Sequence, residues 1–263
     1  MDLQLEGKRV LVTGASKGIG LAVVRAFLAE GATVVATARK STPELAVTDA
    51  VFVPADLSTA DGPATLVETV LARDPRLDVL VNNAGGGDER PEGMFADPFS
   101  GDDDLWSSVF ALNLNAAVRT TRAALPALTQ ARGAVVNVSS SSARDPHTAP
   151  LPYAAAKAAL NAFTRGLAEA TGGAGVRINA VTPGATRTDL LVGPDGLAAS
   201  MAANLGVDRS AVVAALPEQL GMVTGDLIDP SEIARAVVLL SSPAMPSAIG
   251  SNWAVHGGQL KSA

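Results

Sequence analysis

The chain has 263 residues, of which 48% are hydrophobic but only 3% aromatic, and it carries 26 acidic against 20 basic side chains for a net charge of −6. That length fits one large α/β domain or two small ones, and the apolar content excludes disorder. The acidic balance, with both signs interspersed, argues against binding nucleic acid by bulk electrostatics, and the lack of cysteine excludes disulfide scaffolds and cysteine-rich metal sites.

A core short of aromatics must be built from Val, Leu, Ile and Ala, which suits parallel strands covered by helices on both faces. His147 and His256 are the two histidines, too far apart in sequence to suggest a dedicated zinc site. Met1 leads into a polar turn rather than a signal peptide, and no apolar run reaches membrane-spanning length. These features predict a soluble cytoplasmic protein that binds neither nucleic acid nor membrane.

Lys8 to Thr13 reads as a buried strand. Gly14-Ala15-Ser16-Lys17-Gly18-Ile19-Gly20 follows, then apolar residues at helical spacing as far as Gly31. Ala32 to Thr37 is a second strand. A strand, a glycine-rich turn, a helix and a strand in this order let backbone N–H groups approach a pyrophosphate at the helix N-terminus. The spacing is GxxxGxG rather than GxGxxG. A third strand at Ala50–Val53 ends at Asp56-Leu57. A helix at Asp61–Ala72 and a strand at Asp78–Val81 lead into Asn82-Asn83-Ala84-Gly85.

Residues 86–101 are irregular and rich in Gly, Pro and acids. Asp102 opens a long helix to about Ala131, with Pro126 as a possible kink. Gly133–Val138 is a fifth strand ending in Ser139-Ser140-Ser141-Ser142. Pro152 begins a helix that carries Tyr153 and runs to about Thr171. Arg177–Val181 is a sixth strand, closed by Thr182-Pro183-Gly184. Residues 185–229 form a second insertion with short helices near Gly196–Asn204 and Asp208–Leu216. Ser231 is the expected cap of a last helix, before a seventh strand at Asn252–Val255. One domain is expected, over residues 1–263: a Rossmann-like, doubly wound, seven-stranded parallel sheet with helices on both faces.

Tyr153 is the single tyrosine of the chain, and Lys157 follows it by four residues. On a helix such residues share a face, with Cβ atoms about 6 Å apart. A phenol and an ammonium held so suit acid–base chemistry. The cation favours phenolate, so a tyrosine pKa below the free value is expected, lowest beside an oxidised nicotinamide.

Taken together, these motifs resemble the short-chain dehydrogenase/reductase family over nearly the whole chain. Thr13-Gly14-xxx-Gly18-Ile19-Gly20 is similar to its cofactor turn, and Asn82-Asn83-Ala84-Gly85 to the motif that supports the central sheet. Asn113 lies seven residues after Trp106, and Ser140 thirteen before Tyr153, as expected of the family's catalytic residues. Pro183-Gly184 and Thr188 match the segment that embraces the nicotinamide carboxamide. Two positions depart: Ala143 stands where the family often has glycine, and His256-Gly257-Gly258 replaces an Asp-Gly-Gly run, which puts a local turn or interface contact in doubt.

The resemblance implies hydride transfer between nicotinamide and a carbonyl or carbinol carbon. Tyr153 would supply the proton, Ser140 a hydrogen bond, Lys157 a lowered tyrosine pKa and a grip on the ribose, and Asn113 a water that links Lys157 to solvent. The implied cofactor-binding set is Gly14, Ser16, Lys17, Gly18, Ile19, Gly20, Arg39, Asp56, Leu57, Asn83, Ala84, Gly85, Tyr153, Lys157, Pro183, Gly184 and Thr188. Asp56 would bond the adenine. Where an acid would select NAD stands Ala38, followed by Arg39, with Lys17 in the glycine turn; two cations suit the 2′-phosphate of NADPH. Apolar residues of the second insertion, Leu190, Leu191, Leu197, Met201, Leu205 and Met222, suggest a lid for a hydrophobic or cyclic carbonyl compound. His147 could touch substrate. Homotetramers are expected, paired through the small-residue helices. An alcohol dehydrogenase working oxidatively, and a dinucleotide sensor without catalysis, are the other readings.

Overall fold

Strand side chains alternate between two apolar layers. Along β1 (Arg9–Thr13), Val10 and Val12 enter one layer and Leu11 the other. β2 (Thr33–Ala38) divides Val34 and Ala36 from Val35 in the same way. Val53 of β3 (Val51–Pro54) belongs to the second layer, and β4 (Val79–Asn82) divides Val79 and Val81 from Leu80. A strand with both faces buried needs apolar residues in succession, and helices must cover each side. The computed structural model describes residues 1–86 and 102–260. The 86–101 insertion therefore lies outside the described residues apart from Gly86.

The remaining strands are β5 (Ala134–Val138), β6 (Arg177–Pro183) and β7 (Asn252–Val255), and the order across the sheet is β3-β2-β1-β4-β5-β6-β7, all parallel. Strand order reverses between β1 and β4, where an open α/β sheet leaves a crevice at its carboxyl edge.

Along the chain the helices are α1 (Gly18–Ala29), α2 (Pro43–Ala46), α3 (Gly62–Arg73), α4 (Asp103–Phe110), α5 (Ala116–Ala131), α6 (Leu151–Thr171), α7 (Asp189–Val192), α8 (Leu197–Leu205), α9 (Arg209–Gln219) and α10 (Pro230–Ser241). α1 and α10 pack together on one face; α3 and α5 pack together on the other. Among the described residues no single helix is long and apolar enough to cross a membrane, although α7–α8 and α9 together are, bent by 103°.

Three local expectations change. The helix expected from Asp102 to Ala131 is interrupted at Ala111–Asn115 by a π turn, not at Pro126. There Asn113 Nδ2 donates to the Val109 carbonyl at 3.0 Å, inserting a side chain into the i→i−4 ladder. Asp229, not Ser231, caps α10: its carboxylate accepts the Ser231 N–H, Glu232 returns a bond to the Asp229 N–H, and Pro230 takes the first helical position. α2 is a single turn not foreseen, capped by Thr42, whose hydroxyl donates to the Ser16 carbonyl at 2.7 Å.

Buried polar groups fix how the layers meet. Asn82 and Asn137 are register partners, so Asn82 Nδ2 reaches both Asn137 Oδ1 at 2.8 Å and Thr121 of α5 at 2.9 Å. Asn137 Nδ2 in turn donates to Thr164 of α6 at 2.8 Å. α5 and α6 are thereby tied through the sheet close to its carboxyl edge. At the opposite edge Arg177 donates to the Leu240 and Ser241 carbonyls at 2.8 Å, closing the C-terminus of α10.

Candidate active site

The turn after β1 is shaped by what glycine lacks. Gly14 and Gly18 have φ of +63° and +55°, and a Cβ at Gly20 would lie 2.1 Å from the Gly14 carbonyl oxygen. The first turn of α1 thus presses onto the strand end, which only glycine allows. Asn83 holds the arrangement: its Nδ2 donates to the Thr13 and Gly14 carbonyls at 3.0 Å. Thr13 Oγ1 accepts the N–H groups of Asn83 and Ala84 at 3.0 Å. Lys17 precedes α1 in extended conformation and gives no side-chain cap, and the first turn has no acid. The positive end of the helix dipole is left open towards the crevice.

On the other side of the crevice β5 runs into the four serines, and each has a different partner. Ser139 Oγ donates to the Lys157 carbonyl at 3.5 Å and Ser141 Oγ to Gln259 Oε1 at 3.2 Å. Ser142 donates to Ser140 Oγ, from its hydroxyl at 2.8 Å and from its amide at 3.2 Å. Ser140 stands beside Tyr153, close enough for its hydroxyl to favour the phenolate. The thirteen-residue separation therefore does bring Ser140 to the phenol, and the other serines are not merely a polar strand end.

Tyr153 and Lys157 lie one turn apart on α6, with Lys157 Nζ 5.7 Å from the centroid of the tyrosine ring. Lys157 is 3% exposed, and its Nζ donates to the Val138 carbonyl at 2.9 Å. Burial lowers its pKa to about 8, because desolvation disfavours the ammonium. Tyr153 behaves against expectation. Burial pushes its phenol up, and the Ser140 hydrogen bond only partly opposes this. Desolvation of the phenolate outweighs the favourable charge expected from Lys157.

Gly85 allows the third partner to approach. A Cβ there would lie 2.8 Å from Asn113 Oδ1 and 3.2 Å from Lys157 Nζ. Asn113 is buried and makes protein hydrogen bonds: Oδ1 accepts the Gly86 N–H at 3.0 Å, and Nδ2 donates to the Gly86 carbonyl at 2.9 Å as well as to Val109. One Oδ1 lone pair remains for the water expected beside Lys157.

The exit of β6 closes the crevice. Thr188 Cγ2 would be 3.1 Å from a Cβ at Gly18, so the segment after Pro183-Gly184 lies over the glycine turn. Gly184 is backed by His256 and Gln259, each within 3.0 Å of where its Cβ would be. His256 Nδ1 accepts the Gly258 and Leu260 N–H groups at 3.1 and 3.4 Å. The imidazole thus supplies the acceptor for this turn.

Other predicted residues lie at the rim. Arg39 and Lys17 are exposed. Asp56 is also exposed, and its Oδ1 accepts the Ser58 hydroxyl and N–H at 2.6 and 3.0 Å. Those bonds, with Arg39 nearby as a smaller influence, hold its carboxyl below the usual range. Leu57 buries its side chain in the second apolar layer, so only its backbone is available to a ligand. Ile19 packs partly against the first layer. His147 is exposed and paired with Asp145 at 2.6 Å. Among the lid residues Met222 is buried beneath Gly257, whereas Leu190 and Leu205 are exposed.

Sequence reasoning missed Thr42, Ser142, His256 and Gln259 as supports of the site. For Ser142 the i+2 spacing from a serine at a strand end was the available signal, since such a hydroxyl caps the turn it begins.

The glycine turn, the open helix terminus and the close approach allowed by Gly85 fit a dinucleotide laid across the sheet edge. The family model for short chain dehydrogenases matches residues 8–194. The chain belongs to the short-chain dehydrogenase family. As an oxidoreductase of that family it is 34% identical to an uncharacterized oxidoreductase of Bacillus subtilis over the full length of both chains. It is also 34% identical to the L-fucose dehydrogenase of Bos taurus, covering 93% of this chain and 86% of that one. The structure of L-sorbose reductase from Gluconobacter frateurii, complexed with NADPH and L-sorbose, superposes on this short-chain dehydrogenase with a TM-score of 0.89. The two are 28% identical, and the match covers both chains completely.

Proposed function

We propose that the protein is an NADPH-dependent oxidoreductase that transfers a hydride between the nicotinamide and a ketone or secondary alcohol of a small molecule. The observation that carries this reading is the convergence of Ser140, Tyr153 and buried Lys157 beside Gly85. Bound NADPH supplies the hydride; the chain supplies position and protons. As negative charge grows on the carbonyl oxygen, Tyr153 donates its phenolic proton there and Ser140 donates a hydrogen bond. Lys157, anchored on Val138, keeps a positive charge by the phenol and would hold the ribose hydroxyls. Asn113, bonded to both backbone groups of Gly86, would hold a water beside Lys157 through its remaining Oδ1 lone pair.

Arg39 and Lys17 support NADPH over NADH, since no acid stands at the end of β2 and arginine can grip a 2′-phosphate through two hydrogen bonds. Arg39→Ala should lower the preference for NADPH by raising its KM at least about tenfold, with little change for NADH. Equal kcat/KM for the two cofactors in the unmutated protein would refute the assignment.

Residues 185–229 are read as a substrate lid. Slower hydrogen exchange in α7 and α8 when cofactor and substrate bind is the expected result; exchange unchanged by both ligands would count against a lid. Leu190, Leu191, Leu197 and Met201 remain available to an apolar or cyclic substrate. A second reading, a polyhydroxylated ketone, is favoured by the polar end of β5, where Ser140 stands beside Tyr153. Its support also includes the likeness to L-sorbose reductase and L-fucose dehydrogenase. NADPH consumption with cyclic ketones, 3-oxoesters and ketoses separates the two substrate classes. Cofactor binding without turnover of any of them, or of the alcohols with NADP⁺, would favour the sensor reading.

A further inference from the structure

Ser140 Oγ has one proton and two lone pairs. Both lone pairs are taken, one by the Ser142 hydroxyl at 2.8 Å and one by the Ser142 amide at 3.2 Å. The proton that remains is available to Tyr153, whose phenolate Ser140 favours. Ser142 itself is 2% exposed, and among the described residues Ser140 is the sole acceptor of its hydroxyl. If the bond ran the other way, a buried hydroxyl proton would be left without an acceptor, which is costly. The direction is therefore set by burial. The 3₁₀ turn at Ser141–Ala143 holds the donors in place, with Ser140 as its cap.

We propose that Ser142 is a positioning residue for the reaction: its hydroxyl and amide together saturate Ser140 as an acceptor and so aim the single Ser140 proton at the oxygen atoms that react. A serine free to rotate would divide its proton among several acceptors. Here the rotor is locked before substrate arrives, and the hydrogen bonds polarise one another along the chain Ser142–Ser140–Tyr153. Ser142 does not touch the reacting atoms; it acts through Ser140. The proposal rests on the reading of Ser140 and Tyr153 as the reacting pair.

The test is Ser142→Ala, with Ser142→Cys as a second variant that keeps the side-chain volume and donates weakly. In Ser142→Ala, kcat for ketone reduction should fall about tenfold, less than the hundredfold or more expected for a direct donor. KM for NADPH and the melting temperature should stay near wild type. Because Tyr153 is the only tyrosine, tyrosinate absorbance reports it alone. Loss of Ser142 weakens the bond that favours phenolate, so the titration midpoint should move upward, in the same direction as in Ser140→Ala and by less. This readout needs no turnover, so it separates failure of the positioning role from failure of the proposed activity. A wild-type midpoint in Ser142→Ala overturns the proposal, whether or not kcat or the melting temperature changes. If the alanine variant does not fold, the cysteine variant gives the same decision.

Discussion

Tyr153→Phe should lower ketone reduction by at least about a hundredfold while leaving NADPH binding near the wild-type level, because the ring and its packing remain and only the proton donor is removed. The pH dependence assigns the groups further. Burial raises the phenol, so Tyr153 keeps its proton through neutral pH and is poised as an acid. Lys157 is lowered to about 8 by the same desolvation. The proposed reduction would require a protonated Tyr153 and a charged Lys157. kcat/KM should therefore be level below about 8 and decline above it, as the lysine and not the tyrosine loses its proton. Lys157→Arg keeps the charge at all working pH, so in that variant the decline should move to higher pH even if the absolute rate is lower. A decline at the same pH in Lys157→Arg would assign it to another group. Nearly full activity of Tyr153→Phe at neutral pH would remove the phenol from the mechanism.

Gly20→Ala should abolish or weaken cofactor binding by at least about tenfold. The new methyl would lie 2.1 Å from the Gly14 carbonyl oxygen and 2.6 Å from Asn83 Nδ2. The first contact is with backbone, so α1 must move away from β1, and the second breaks the bonds by which Asn83 holds the turn. Overpacking of this kind costs about 1–3 kcal/mol, and the displaced helix N-terminus would lose the place proposed for it against the cofactor. Fluorescence titration with NADPH and thermal denaturation measure the two effects. Affinity within twofold of wild type would show that the glycine turn does not carry the dinucleotide. Gly166 is a suitable control, since a Cβ there meets no atom within 4 Å.

Much of the architecture was legible because buried parallel strands leave few options. Runs such as Val10-Leu11-Val12 need two apolar layers, and the structure supplies both. Boundaries erred where a side chain and not periodicity decides them. Asn113 opens a π turn by reaching its own helix, and Asp229 takes the cap from Ser231 because Pro230 suits the first helical position. Neither choice has a hydrophobic period to announce it.

Within the site, residue types at family spacing named Ser140, Tyr153 and Lys157, and local helix geometry placed the last two on one face. That much follows from the chain alone, because an i, i+4 relation is a property of the helix. Which serine meets the phenol was inferred from spacing; where the other three turn was not, since their partners are Lys157, Gln259 and Ser140, contributed by separate parts of the fold. The direction of the Tyr153 pKa shift was likewise beyond the sequence. Charges can be counted from a list of residues, but desolvation depends on how tightly α6 packs over the end of β5, and that is a property of the assembled sheet alone.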